Sequence, residues 1–250
     1  MKSLDLMNEK DIEKIKLIVF DVDGVLVPRG TKIKQDGDKM SFTMKRVPLS
    51  EIELMRKLHE KGYLLNVNSG RGLYFLQEMF REILPFVSLT YENGSATWLN
   101  GKIYQHVNSF LQLKDLFFEL KKIKSDKIKG FEMKEFIITI HTKARVLAIE
   151  KVLERYKGVY GVWNSEAYDI GVKDVQTKAV GLRGLMRVLG LKKENVMAIG
   201  DNYNDVELLN SCGLAISADA KRAIGHFYTE LEGKFLPAES LMIRVLELVE

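Results

Sequence analysis

Short apolar runs alternate with amphipathic stretches along most of this chain, regularly enough to predict a fold. Residues 16–20 (KLIVF) are β-branched and mostly apolar, which reads as a strand buried on both faces. In residues 48–61, Ile52, Met55 and Leu58 recur at helical spacing, with Ser50 a candidate N-cap and Gly62 a stop. A second strand is predicted at 63–67, a second helix at 73–83 and a third strand at 87–90. Strand–helix–strand–helix–strand is the pattern of a doubly wound parallel sheet.

The pattern changes after Tyr91. Predicted strands at 96–99 and 102–107 flank Asn100-Gly101, a hairpin signal. A helix at 110–124, a strand at 135–141, a helix at 144–156 and strands at 159–164 and 167–172 follow. This ββαβαββ order predicts a separate α+β unit with an open antiparallel sheet. Alternation of the first kind then resumes. Helices are predicted at 176–189, 205–211, 218–224 and 241–249, and strands at 195–199 and 213–216. The expected organisation is a discontinuous α/β core, 1–90 and 173–250, interrupted by an inserted domain, 91–172. Residues 29–47 stand apart. Two extended arms flank Asp36-Gly37, which predicts a hairpin flap beside the active site. Its Lys32, Lys34, Lys45 and Arg46 would touch substrate or a second copy of the chain, or lie solvated.

Composition narrows the class. With 250 residues, 46% of them hydrophobic, the chain can bury a self-supporting core. The lone Cys212 excludes an internal disulfide framework and a cysteine-built zinc site, so a reducing, cytoplasmic setting is expected. The opening MKSLDLMNEKDIEKIK lacks the apolar core of a signal peptide, and no apolar run is long enough to span a bilayer. The net charge is +4, and residues 110–157 carry twelve basic side chains against seven acidic ones. That balance suits small anionic molecules rather than a nucleic acid or a membrane surface.

The candidate chemistry lies where predicted core strands end, the rim on which parallel α/β sheets bind ligands. Asp21 and Asp23 follow the first strand, in Asp21-Val22-Asp23-Gly24. One carboxylate would face a metal and a phosphorus atom, and the other would reach a leaving-group oxygen; a loop or N-cap pair is the simpler alternative. Gly200-Asp201-Asn202-Tyr203-Asn204-Asp205 offers oxygen ligands to a hard cation, or else an Asx-rich turn. Ser69-Gly70-Arg71 places a hydroxyl and backbone N–H groups at a helix start, an anion site or an ordinary cap. Lys178 sits in the first turn of a helix, against the dipole, unless it is a solvated surface charge. His141 and Trp163 fall on predicted strands of the inserted domain and would face substrate or sit within the sheet.

Taken together, these motifs resemble the haloacid dehalogenase (HAD) superfamily. The four motifs of that family are similar to Asp21-Val22-Asp23-Gly24-Val25, Ser69, Lys178 and Gly200 to Asp205 here. The insertion lies where the family carries type II caps, and its order resembles the smaller IIB form. Glu92-Asn93-Gly94-Ser95 is similar to the Glu-Asn-Gly-Ala of Cof-like IIB phosphatases. The resemblance implies a HAD-like Rossmannoid parallel-sheet core with an inserted α+β cap, in a Mg²⁺-dependent phosphatase. Asp21 would be the nucleophile and Asp23 the general acid and base. Mg²⁺ would be held by Asp21, the Asp23 carbonyl, Asp201 and Asp205. Ser69, Gly70, Lys178 and Asn204 would bind phosphoryl oxygens. The expected partners are a small phosphorylated metabolite, such as a sugar phosphate or a phosphoglycolate-like acid, and a homo-oligomeric neighbour. A phosphomannomutase-type enzyme is the rival, although the inserted domain is poor in arginine. A non-catalytic phosphate-binding module is the third reading.

Overall fold

The computed structural model describes residues 1–30, 32–36, 39–43, 45–132, 134–231 and 233–250. In chain order its elements begin with β1 (Lys2–Ser3), α1 (Glu9–Ile12), β2 (Leu17–Phe20), β3 (Lys32–Asp36) and β4 (Lys39–Thr43). Next come α2 (Leu49–Glu60), β5 (Leu64–Asn68), α3 (Leu73–Met79), β6 (Val87–Tyr91), β7 (Ala96–Leu99) and β8 (Lys102–Gln105). Then follow α4 (Phe110–Lys121), β9 (Ile128–Glu132), β10 (Ile138–Thr142), α5 (Leu147–Leu153), β11 (Val159–Trp163) and β12 (Ala167–Val172). The chain closes with α6 (Lys178–Leu189), β13 (Val196–Gly200), α7 (Val206–Asn210), β14 (Leu214–Ser217), β15 (Phe227–Tyr228) and α8 (Pro237–Val249).

Two units result. The first holds residues 1–29, 46–106 and 177–250. It is built on one sheet in the order β1-β15-β14-β13-β2-β5-β6-β7-β8, parallel from β1 through β6. All four residues of β2 are fully buried, as a strand covered on both faces must be. After β2 the order runs one way through β5 and β6, and β13 and β14 lie on the other side. The switch point at β2/β13 opens a crevice at the strands' carboxyl ends. Leu182 and Leu185 of α6 pack with Leu17, Val19, Val196 and Ala198, so the helix that begins at Lys178 is anchored to the two central strands. Truncating one such leucine to alanine costs about 2–5 kcal/mol.

Several expectations are corrected here. The 96–107 hairpin belongs to the first unit, not to the insertion. β7 pairs antiparallel with β6 (Leu89 with Trp98, Thr90 with Thr97) and extends the core sheet. Helix α2 has Pro48, not Ser50, as its N-cap residue, and no side chain caps it. Residues 218–224 form turns rather than a helix, because the chain folds back to add β15 beside β14. Gly225 packs so tightly on the Ala215 carbonyl that a β-carbon would lie 2.6 Å from it.

The second unit holds residues 30–45 and 107–176. Its antiparallel sheet runs β11-β12-β10-β9. Helices α4 and α5 cover one face, with Leu116, Leu120, Ile140, Ile149 and Ile170 fully buried in the shared core. On the opposite face Glu132, Thr139 and Asp169 stand side by side across three strands. The strand expected at 135–141 is β10, starting three residues later, and β9 at Ile128–Glu132 is an additional strand. β9 was illegible because its sequence, IKGFE, has a lysine and a glycine and little alternation, as edge strands often do.

The 29–47 segment forms the predicted hairpin, β3 with β4, and it joins the second unit. Its turn residues Gly37 and Asp38 lie outside the described residues. Gln35 of β3 accepts a hydrogen bond from the Phe131 N–H of β9 (3.2 Å), and Phe42 meets the His141 ring edge-on at 6.4 Å. His141 is buried and bonded through Nε2 to Glu132 (2.8 Å), and the Trp163 indole N–H donates to Thr142 (3.2 Å). Among the described residues no helix is long and apolar enough to cross a membrane.

Candidate active site

Three carboxylates converge at the switch point. Asp21 follows β2, and Asp201 and Asp205 follow β13; all three are buried, and one oxygen from each lies within 4.8 Å of the others. The adjacent parallel strands β2 and β13 bring these distant segments together, and the Asp21 N–H donates to the Ile199 carbonyl (3.1 Å). The Lys178 ammonium enters the same cluster from the first turn of α6. Its Nζ lies 2.6 Å from Asp21 Oδ1 and 2.5 Å from Asp205 Oδ1, and the side chain is 1% exposed. Asp205 Oδ2 accepts from the Asp201 and Asn202 N–H groups (3.1 and 3.0 Å), which closes the loop around the cluster.

Burial makes this an electrostatically demanding arrangement. It pushes Asp21 well above the usual carboxylate range; Asp205 adds to the effect and Lys178 opposes it. Burial, then Asp205, raises Asp201 to about 6 against the pull of Arg29. Burial alone would lower Lys178, but Asp205 and Asp21 outweigh it and hold the ammonium charged. Three carboxylates face Lys178 and Arg29, a surplus of one negative charge when all are ionised. Among the described residues Asp201 Oδ1 has no hydrogen-bond partner, and it is buried. An all-oxygen donor set, a negative surplus and an orphaned inward oxygen fit a hard divalent cation.

Asp23 lies outside that triad. Its carboxylate is held in a bidentate pair by Arg71 (2.8 and 2.7 Å). Gly24, at φ +89°, turns the chain so closely over Asp201 that a β-carbon there would overlap Oδ2. Ser69 is buried at the end of β5, and its Oγ accepts from the Arg71 N–H (3.2 Å). Asn204 is exposed on the short turn Tyr203–Asp205.

The Glu92-Asn93-Gly94 turn fixes this loop. All three residues have positive φ (49°, 53° and 81°). The Asn93 N–H donates to the Ser69 carbonyl and the Glu92 N–H to the Arg71 carbonyl (both 3.1 Å). Gly94 rests on the first turn of α6. One turn therefore sets both the Ser69-Gly70-Arg71 loop and the start of the Lys178 helix.

The chain has known counterparts. A model of haloacid dehalogenase-like hydrolases matches residues 102–221. Phosphoglycolate phosphatase 1 of Saccharolobus solfataricus is 26% identical over 204 residues, 81% of this chain and 82% of that protein. The phosphoglycolate phosphatase of Sulfolobus acidocaldarius is 26% identical over 227 residues, 85% of this chain and 89% of that one. A solved HAD subclass IIB sugar phosphatase superimposes with a TM-score of 0.64 at 18% identity, covering 93% of this chain and 97% of that chain. The chain is thus similar to haloacid dehalogenase-like hydrolases in sequence over residues 102–221 and in fold over nearly its whole length. Its α/β core with an inserted α+β unit is the HAD-like fold expected from the sequence.

Within this HAD-like fold, the structure brings Asp21, Lys178, Asp201 and Asp205 into one cluster. Ser69, Gly70 and Asp23 belong to the Arg71 loop beside them. Sequence reasoning missed two arginines. Arg71 was seen only as part of an anion loop, yet it clamps Asp23. Arg29 was assigned to the flap, yet its guanidinium donates to Asp201 Oδ2 (2.5 Å), the Asp201 carbonyl (2.9 Å) and Asp219 Oδ2 (3.0 Å). No local signal marks a pair 172 positions apart.

Proposed function

We propose that this chain is a Mg²⁺-dependent phosphatase, hydrolysing a small phosphorylated metabolite through an aspartyl-phosphate on Asp21. The observation that carries the reading is the position of Asp21. It is buried at the end of a central strand, 2.6 Å from Lys178 Nζ, in a triad that leaves Asp201 Oδ1 without a protein partner. The catalysts named for the two phosphoglycolate phosphatases and the sugar phosphatase support the substrate class, a phosphorylated acid or sugar.

The steps follow from the residues. An Asp21 carboxylate oxygen attacks phosphorus while the ester P–O bond breaks, and Asp23 gives its proton to the departing oxygen. Asp23 then takes a proton from water, the water oxygen attacks phosphorus, and the bond to Asp21 breaks to release phosphate. In the bidentate pair with Arg71 the Asp23 carboxylate is ionised, so Asp23 takes up a proton and lets go of one Arg71 N–H before it acts as the acid. Ser69, the Gly70 N–H, Lys178 and Asn204 offer donors to the phosphoryl oxygens, where charge is carried through the transition state. Asp21, Asp201, Asp205 and the Asp23 carbonyl would hold Mg²⁺, which would supply the charge that lets an anionic nucleophile approach an anionic ester. A mutase would need arginines kept for a second phosphate, but Arg145 and Arg155 are engaged by Glu150 and Glu119 (2.8 and 2.7 Å).

Phosphate release from p-nitrophenyl phosphate, with and without Mg²⁺, tests the reading on wild type and Asp21→Asn. Turnover that needs Mg²⁺ and disappears in Asp21→Asn is expected. Turnover surviving that substitution would overturn the nucleophile, and no release by the wild type would overturn the enzyme. Phosphoglycolate and hexose phosphates, assayed for release and for isomerisation, then separate phosphatase from mutase.

A further inference from the structure

Arg29 closes one oxygen of Asp201 and leaves the other open. Oδ2 receives the Arg29 Nε–H at 2.5 Å, and the Gly24 backbone packs directly against the same atom. Oδ1 is buried without a partner. The guanidinium is itself held at its far end by Asp219 Oδ2 (3.0 Å) and by the Asp201 carbonyl (2.9 Å). Three hydrogen bonds fix it far more firmly than a single ion pair would. Asp201 can therefore present only one oxygen inward. The other two carboxylates are restrained as well, Asp205 at both of its oxygens. Asp205 Oδ2 is taken by two backbone N–H groups, and Lys178 holds Asp21 Oδ1 and Asp205 Oδ1.

That restraint has a consequence for the choice of cation. Ca²⁺ takes six to eight oxygens and readily accepts both oxygens of one carboxylate, whereas Mg²⁺ is octahedral and takes one. We infer that Arg29, braced by Asp219, is a specificity-determining positioning residue. By keeping Asp201 one-oxygen-only, it makes the site select Mg²⁺ over Ca²⁺. The inference rests on the reading of Asp201 as a metal ligand given above. Arg29 acts through Asp201.

Isothermal titration of Mg²⁺ and of Ca²⁺ into the metal-stripped full chain reads this without turnover. The variants are Arg29→Met, Arg29→Lys and Asp219→Asn, each checked for a cooperative thermal transition. Outer-shell partners of metal ligands change affinity by about 10- to 100-fold. Arg29→Met removes a positive charge and strengthens both cations, so the Ca²⁺/Mg²⁺ affinity ratio is the diagnostic quantity. It is expected to shift toward Ca²⁺ by about tenfold or more in Arg29→Met. Arg29→Lys keeps the charge but loses the fork, and is expected to shift the ratio similarly while changing mean affinity little. Asp219→Asn loosens the brace and is expected to move the ratio in the same direction by a smaller factor. An unchanged ratio in folded Arg29→Met and Arg29→Lys would overturn the role of Arg29 and leave the phosphatase reading intact. No Mg²⁺ binding by the wild type would overturn both.

Discussion

A β-carbon on Gly94 would overlap the carbonyl oxygen of Thr177 and sit 2.8 Å from the Gly181 nitrogen. This contact couples the turn that supports Ser69 to the helix that carries Lys178. Gly94 also has φ +81°, a conformation that costs a side-chain-bearing residue about 1–2 kcal/mol. Gly94→Ala should thus combine backbone strain with displacement of α6, destabilising the chain by about 2–4 kcal/mol. Gly101→Ala is the control: its φ is +79°, but nothing lies within 4 Å of its β-carbon position. Urea unfolding should show the first variant clearly less stable than the second, with phosphate release lowered only in the first. Equal losses would mean that the Thr177 contact carries no strain.

Lys178 pairs with two buried carboxylates at once. Lys178→Met leaves them facing each other and removes a donor to the phosphoryl group. Phosphate release should fall by about 10²–10³-fold, the usual effect of losing one such donor. The melting temperature of this variant should also rise more on adding Mg²⁺ than that of the wild type, because the cation then supplies the missing positive charge. Wild-type turnover in a folded Lys178→Met would remove Lys178 from the machinery.

What the sequence disclosed follows from the range over which each feature acts. Asp21, Asp23 and Asp201 were legible because each lies at or just past the end of an apolar strand, and Asp205 because it shares the Asp201 loop; parallel topology then gathers strand ends. The hairpin at Asn100-Gly101 was legible as a hairpin, but a turn signal does not say which sheet its strands join. That depends on Leu89 and Thr90 offering a free edge to Trp98 and Thr97. Residues 218–224 have the composition of a helix, yet Asp219 pairs with Arg29 and accepts from the Lys221 N–H, holding a turn instead. The clamps on Asp23 and Asp201 come from arginines 48 and 172 positions away, where no periodicity reaches.

Gln35 shows a local device that only the fold reveals. Its side-chain carbonyl covers the Phe131 N–H on the edge strand β9 (3.2 Å), a group otherwise open to pairing with another chain. Gln35→Ala should leave that N–H to water, at a cost of about 0.5–1.5 kcal/mol. Amide hydrogen exchange at Phe131 should accelerate in the variant while Ile140, on the central strand β10, stays protected. Unaltered exchange at Phe131 would show that the hydrogen bond gives no protection.

Glu51 is fully buried near the start of α2, and neither carboxyl oxygen has a hydrogen-bond partner. Burial, reinforced by Glu239 of α8, raises its pKa to about 9. In the unfolded chain it returns to the ordinary value near 4.5. Between those values the folded protein keeps a proton that the unfolded chain has released. The contribution of Glu51 is therefore fully favourable below about pH 4.5 and is lost as the pH rises toward 9. Each pH unit in that window lowers stability by about 1.4 kcal/mol from this group alone. Glu51→Gln keeps the shape and cannot ionise, so its stability should not carry this slope. At pH 8 the variant should exceed the wild type by up to about 5 kcal/mol, and below pH 4 the two should nearly coincide. Urea midpoints at half-unit pH steps decide the matter. Parallel curves for the two proteins would mean that Glu51 ionises in the folded state at its ordinary pH, and that α2 and α8 admit water around it.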